Sequence, residues 1–559
     1  MPYSLLLLFM SIKRPQNCLP ATLRYIAKSV CCVLLIESFS SIASAQSGSP
    51  SLVLPAGEEA LWENVSESYD EVYREPTEAV PVSKLLMPWE ASRAVALALP
   101  LGELQEDRAL DALFKDSLAA LLPRVEVIAF HHRLDRRILG SFWAELEADA
   151  RIAPFLGRLS LESSEAFSIW MRDFGPQFAV GEDQSLVLLD PSVGDPGASR
   201  GLLFDVKTTE DPIQQHFRMV EELSNLRGLE GSDRIPSLLA GSLEAKWGVA
   251  TSLSRPPLFL QGGDFLPVSS SGALVSESTL GANGGVSQRF RALVRDYYGV
   301  DTIVFLENLP GKTIEHLDFI VHPIQENVVL LADPPEGIAP TRAYHRYLER
   351  ELRSRFARNE SSVRKAFPNA KIVKVPMPPP ALDSDEDVRR ELFLNALQAF
   401  IGQERIAMRF DPASALENWE SFEINPRIEA RLKEVTGISN WRMELDQTRV
   451  IETYLGDSYE NLLAKHVEPQ VNYRSYVNSL YLKNPEGEEV VLIPRFRGRD
   501  ASEQAMLETL ETKVAAAYRS ACPKAEQIWI DCTVLTDFMG MIHCYTLAIP
   551  DPSTFAKEL

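Results

Sequence analysis

Apolar and polar positions follow two different periods along the chain. Residues 94–99 form an unbroken apolar run of strand length ending at Pro100, which predicts a buried strand. Residues 107–122 space their apolar positions by three and four, the period of an amphipathic helix. The pair repeats, with a strand predicted at 125–130 and a helix at 136–146. Further short apolar runs at 186–190, 303–306, 328–332 and 490–493 read as strands. The last is followed by a helical 501–518 and then by a strand at 528–530. Strands alternating with helices predict an α/β fold class. No repeat of fixed length is visible in the residues themselves.

Three stretches break this rhythm. Lys13, Arg14, Arg24 and Lys28 precede the apolar residues 30–36, and Ala43-Ser44-Ala45 follows. A basic region, an apolar core and an A-x-A site make residues 1–45 a secretory signal cleaved near Ala45. The expectation is a periplasmic or secreted protein. Residues 46–84 are a polar, acidic lead-in. Beyond the stiff Pro376-Met377-Pro378-Pro379-Pro380 segment, residues 381–470 are mostly helical, with apolar spacing at 387–400 and 447–463. They read as a helical insertion in a core whose parts are 85–380 and 471–559.

Composition narrows the partners. Among 559 residues, 45% are hydrophobic and 24% charged, ordinary globular values. No apolar run reaches the roughly 18 residues of a membrane span. Lys and Arg total 56 against 78 Asp and Glu, a net charge of −22. A phosphate-backbone binder needs the opposite bias, so no nucleic-acid partner is expected. His131-His132 reads as a solvated turn, because adjacent histidines at a strand end face opposite sides. Of six cysteines, Cys18, Cys31 and Cys32 lie in the signal. Cys522, Cys532 and Cys544 are too few for a disulfide scaffold. If Cys522 pairs with Cys532, Cys544 is a free thiol and a candidate nucleophile; three buried unpaired cysteines fit equally well.

Four motifs carry chemistry. Trp170-Met171-Arg172-Asp173-Phe174-Gly175-Pro176 places a carboxylate before a Gly-Pro turn. Gln261-Gly262-Gly263-Asp264 follows an apolar run, and paired glycines there permit close backbone approach. In His316-Leu317-Asp318, strand geometry would put an imidazole and a carboxylate on one face. Gly540-Met541-Ile542-His543-Cys544 leads a glycine turn into an apolar segment carrying the thiol. Each alone has an ordinary structural reading as a turn, a packing glycine, a surface pair or a buried thiol.

In this order the four motifs resemble those of the guanidine-modifying superfamily with the pentein (β/α propeller) fold. Within it the chain is similar to the branch of agmatine deiminases and bacterial-type peptidylarginine deiminases, which show W-x-R-D-x-G-P, E-G-G-N, G-H-x-D and G-G-I-H-C. Ser475-Tyr476-Val477-Asn478 and Met87-Pro88-Trp89-Glu90 also resemble that branch. The resemblance spans about 85–375 and 471–550. It implies five strand–helix modules around a central site. It also implies that Cys544 attacks a guanidinium carbon, that Asp173 and Asp318 bind its nitrogens, and that His316 protonates the leaving amine and later activates water. Trp170, Arg172, Asp264 and Asn478 become candidate substrate-binding residues.

The chemistry suits these residue types. Carboxylates hold a planar N–H donor cation bidentately, and a thiolate is the nucleophile its sluggish carbon needs. No CxxC or HExxH spacing is present, and no metal or cofactor is implied. Gln261, Asp264, Glu315 and Met541 depart from the branch, which has Glu, often Asn, Gly and Gly there. Export favours arginine-containing peptides as substrate. Agmatine is the alternative, followed by a diverged binding protein or an amidinotransferase. Relatives that prefer C-terminal arginine carry an arginine-rich stretch where this chain has Phe204-Asp205-Val206-Lys207-Thr208-Thr209, which argues against that specificity.

Overall fold

The computed structural model describes residues 77–132, 135, 138–164, 168–191, 234–310, 316–335, 342–382, 385–406, 410, 412–417, 419, 421–466, 471–536 and 540–556. The predicted signal, most of the lead-in, residues 204–209 and Glu315 lie outside the described residues.

Among the described residues the strands form five small sheets, and each repeats one ladder. Two antiparallel strands come first; a helix then crosses over to a third strand parallel to the second. Gln177–Gly181, Leu186–Leu189 and Thr251–Ser254 make one such set, with helix Ile235–Trp247 as crossover. Phe265–Ser269, Gly272–Ser276 and Thr302–Leu306 make the next, crossing through Ser287–Tyr298. Val321–Gln325, Val328–Asp333 and Lys371–Pro376 follow, with crossover helix Ala343–Ala366. Leu480–Lys483, Glu489–Arg495 and Glu526–Asp531 use Ala501–Ala521. The fifth joins distant parts of the chain: Thr546–Pro550 lies antiparallel to Ser92–Leu99, and Arg108–Leu121 crosses to Glu126–His132. A right-handed β-strand and helix pack back on each other in only a few ways, so one local solution recurs without a sequence repeat. Two sheets carry a fourth strand, Val82–Leu85 at the end of the stretch read as lead-in, and Leu159–Ser164.

The predicted strands and helices lie where their periods place them, with local differences. Ala94, Val95, Ala96 and Leu97 are wholly buried, which is why that strand is an unbroken apolar run. Asp107 caps helix Arg108–Leu121 by accepting from the N–H groups of Ala109 and Leu110 at 2.8 and 3.1 Å, a contribution of about 1 kcal/mol. His131 and His132 are not a solvated turn. They end strand Glu126–His132, and both side chains are buried. The helix predicted over 447–463 is two helices, Glu444–Leu455 and Tyr459–Lys465. Gly456 at φ 73° ends the first and the Ser458 hydroxyl caps the second. Cys522 and Cys532 do not pair; both are free and buried, as is Cys544. No described helix is long and apolar enough to cross a membrane.

Two compact units can be distinguished. The sheets belong to one; the other comprises Leu382–Glu468 with Ala339–Arg346. Its core is aromatic. Trp441 stacks on Phe393 with ring centroids 5.8 Å apart and meets Trp419 edge-on at 5.7 Å. Trp441→Ala should therefore lower stability by about 3–5 kcal/mol, whereas Trp441→Phe should cost far less. Urea midpoints followed by far-ultraviolet circular dichroism check this; equal midpoints for all three proteins would contradict the packing.

Candidate active site

The repeated ladder explains how residues far apart in sequence meet. Just before the first strand of each sheet's antiparallel pair lies a short turn, and each turn carries a polar residue of the site. Met171–Phe174 carries Asp173, Gly262–Asp264 carries Asp264, and Leu317–Phe319 carries Asp318 with His316 before it. The bend at 476–478 ends in Asn478, and Ile542–Tyr545 carries Cys544. Neighbouring turns pack on one another. His316 and Asp318 thus converge through a 3-10 turn and not, as the spacing suggested, along one face of a strand.

His316, Asp318 and Cys544 each place a polar side-chain atom within 4.8 Å of the other two. Nδ1 of His316 lies 3.5 Å from Oδ1 of Asp173. Asn478, completely buried, donates from Nδ2 to Sγ of Cys544 at 3.1 Å and accepts the His543 N–H on Oδ1 at 2.9 Å. It therefore fixes the thiol and the main chain beside it. Asp264 is turned inward: its Oδ1 accepts from the Leu317 N–H at 3.3 Å and its Oδ2 from the Thr279 hydroxyl at 3.1 Å. It props the turn that bears Asp318. Buried Arg172 donates from Nε to the carbonyl of His543 at 3.4 Å.

Side chains or backbone crowd closely on glycines of the motifs. A Cβ on Gly262 would lie 2.1 Å from the Arg172 carbonyl oxygen, and one on Gly263 would lie 2.9 Å from the imidazole of His316. A Cβ on Gly540 would strike the ring of Trp170 at 2.1 Å. Two departures from the motifs have clear roles. The Gln261 side-chain oxygen is hydrogen-bonded to Nε2 of His316, leaving Nδ1 turned to Asp173. Met541 sits at φ −139°, which needs no glycine, and its carbonyl accepts the Cys544 N–H at 3.1 Å.

Burial and crowded charge set the protonation states. Burial, then the charges of Asp318 and Asp264, push Asp173 up to about 7 against the pull of His316 and Arg172. Burial likewise raises Asp264 to about 6. Asp318 goes the other way. Burial alone would raise it, but the hydrogen bond from His543 and the charges of His316 and Arg172 hold it below its ordinary value. Burial and the two carboxylates push the Cys544 thiol well up, so at rest it is neutral. His543 was not singled out from sequence. Its Nδ1 donates to Oδ2 of Asp318 at 2.7 Å, across 225 positions of sequence, and its motif alone carries no sign of that partner.

One oxygen each of Asp173 and Asp318 is buried without a hydrogen bond. Two buried acceptors, a thiol and an imidazole around one point can grip a planar N–H donor cation and attack its carbon.

Residues 87–550 match a family model described as Porphyromonas-type peptidyl-arginine deiminase. Among solved structures, the chain is similar to the agmatine deiminase of Enterococcus faecalis, with 13% identity over 86% of this chain and 100% of that one and a TM-score of 0.50. It is also similar to the C. jejuni agmatine deiminase, with 13% identity over 84% of this chain and 96% of that one and a TM-score of 0.48. At such identity the first likeness speaks to the fold alone. No curated protein matches the sequence.

The glycine contacts separate two effects. Gly262→Ala meets backbone and should destabilise the fold by about 1–3 kcal/mol. Gly263→Ala meets the imidazole and not backbone, and should cost less stability than Gly262→Ala while lowering kcat about 100-fold or more through a misplaced His316. Calorimetry and steady-state kinetics on the two variants test the contrast; the reverse pattern would contradict it.

Proposed function

The chain belongs to the Porphyromonas-type peptidyl-arginine deiminase family, and on that premise we propose that it hydrolyses the guanidinium of peptidyl arginine to citrulline and ammonia. The observation that carries this reading is the convergence of Cys544, His316 and Asp318 beside Asp173, with a buried unsatisfied oxygen on each carboxylate. The five ladders are then blades of a pentein propeller whose inner turns surround the substrate. Residues 1–45 export the protein, so peptide arginine is within its reach.

Asp173 and Asp318 accept the guanidinium N–H groups, and the arriving cation relieves their mutual repulsion. It also lowers the cost of ionising Cys544, whose proton passes to His316. The thiolate forms a bond to the guanidinium carbon. The C–N bond to one terminal nitrogen then breaks, His316 returns the proton to it, and ammonia leaves. A thiouronium remains on Sγ. His316 takes a proton from water as the water oxygen attacks the same carbon. The C–S bond breaks, and the remaining hydroxyl proton of the adduct goes to sulfur. The thiol and a ureido product are released, and the imidazolium gives its proton to solvent or to the departed ammonia. Splitting one difficult displacement into two easier ones is the gain from a covalent nucleophile. Cys544→Ala removes the step that forms the bond.

Substrate choice lies outside these residues, which fix only the head group. A blocked arginine peptide should exceed agmatine and free arginine in kcat/KM, since free arginine brings two charged ends that must lose water. If agmatine leads by about tenfold, worth roughly 1.4 kcal/mol in the transition state, the substrate is agmatine and the peptide reading falls.

Asp173 ties activity to stability with opposite signs. Its folded carboxyl binds a proton up to about 7, whereas the unfolded chain releases it in the ordinary carboxylate range. Stability from this group is complete below that range and is lost as pH rises through about 7. Substrate binding gains over the same interval, as the carboxylate forms. Between pH 5 and 8 the wild type should lose more stability than Asp173→Asn, by on the order of 1–4 kcal/mol, while kcat/KM of the wild type rises. Parallel urea titrations and rate profiles check both halves; identical pH slopes in the two proteins would refute the assignment.

A further inference from the structure

His543 takes no part in the steps above, yet its N–H, its carbonyl and its Nδ1 are all engaged. Its N–H is held by Asn478 at 2.9 Å, its carbonyl by Arg172 at 3.4 Å and its Nδ1 by Asp318 at 2.7 Å. Its ring packs on that of His322, with centroids 4.7 Å apart. The residue next in sequence is the thiol. We infer that His543 is a positioning residue. By donating Nδ1–H to Oδ2 of Asp318, it fixes which oxygen of that carboxylate faces the guanidinium and keeps the carboxylate charged where it is wholly buried. This inference rests on the guanidine-deiminase reading and deepens it.

The geometry requires a neutral donor. An imidazolium at His543 would cancel the charge of Asp318 and with it the attraction for a cationic substrate. The groups facing this pair are His322 on strand Val321–Gln325, Arg172 and Asp173 on Met171–Phe174, His316 beside Leu317–Phe319, Asp264 and the Cys544 thiol. Burial first, then the fixed cation of Arg172, keeps His543 down to about 4. Burial and the neighbouring His543 keep His322 down to about 3. Nδ1 of His322 is meanwhile engaged with the Val477 carbonyl at 3.1 Å, so the second ring packs without offering a charge. The bond also links both reacting partners: Sγ of Cys544 lies 3.6 Å from the same Oδ2. A carboxylate held by a neutral N–H, attached to the residue before the nucleophile, sets the distance between cation and sulfur.

The test compares wild type, His543→Asn and His543→Phe. Asparagine keeps an N–H near the Nδ1 position; phenylalanine keeps the ring and loses the donor. Alkylation of Cys544 is followed from pH 5 to 9 with cationic chloroacetamidine and with neutral iodoacetamide, so no substrate need be known. His543→Phe should reduce the cationic-to-neutral rate ratio about tenfold or more and raise the acid limb of the cationic reaction by about one unit. His543→Asn should stay within about threefold of wild type. A wild-type ratio and limb in His543→Phe would overturn the inference, as would a loss in His543→Asn equal to that in His543→Phe. Should neither variant fold, histidine-selective 15N spectra of the wild type decide. His543 should remain a neutral Nδ1–H tautomer from pH 5 to 8, with a downfield hydrogen-bonded proton; titration within that range would overturn the inference. Failure of the function reading looks different: wild type then labels with no cationic preference and releases no ammonia from any guanidine.

Discussion

Everything at the centre of this protein answers to one constraint, the burial of like charge. Asp173, Asp264 and Asp318 all influence one another, and each lies where burial penalises its charged form. Three bare carboxylates cannot share such a space. The fold treats each differently. Asp264 is spent on two internal hydrogen bonds, Asp318 is held charged by a neutral imidazole, and Asp173 retains its proton to about 7. Arg172 supplies a cation that is itself uncomfortable, drawn down to about 10 by burial. The site is poised for a further positive charge.

That arrangement needs precision from five separate places, and the repeated ladder supplies it. A turn leading directly into a paired strand is anchored by that strand's hydrogen bonds, so a side chain on it has little freedom. Functional groups on such rigid supports hold their geometry better than groups on free loops. The crowding at Gly262, Gly263 and Gly540 shows how closely the turns interlock. Tyr545, directly after Cys544, anchors its turn from behind through a 2.8 Å hydrogen bond to Ser117 on the first crossover helix.

Much of this was legible in the sequence, and the misses have physical reasons. Long elements with a clear period, such as Arg108–Leu121 and Ala501–Ala521, follow from hydrophobic spacing because many positions vote together. A three-residue turn offers no such average, and the alternation at His316-Leu317-Asp318 suits a strand as well as the 3-10 turn Leu317–Phe319. His131 and His132 look like turn residues by polarity, but they continue strand Glu126–His132 and are buried, which depends on tertiary packing that no local pattern carries. The side chains of the four motifs could be named because their chemical types are rare together. Their pairings could not. Nothing local tells that His543 meets Asp318, that Gln261 meets His316, or that Asn478 reaches Cys544.

The pairings also explain why a thiol can be kept safe until it is needed. Buried beside two carboxylates, Cys544 is neutral and a poor nucleophile toward stray electrophiles. In the proposed mechanism a guanidinium between Asp173 and Asp318 reverses the sign of the local field, and the same thiol then ionises more readily. Neutral ligands of the same shape bring no such reversal. In the proposed mechanism, selectivity for a cation is therefore exercised twice, once by the carboxylates that would bind it and again by the thiol that its charge would activate. The negative charge that makes the empty site costly is what makes the occupied site reactive.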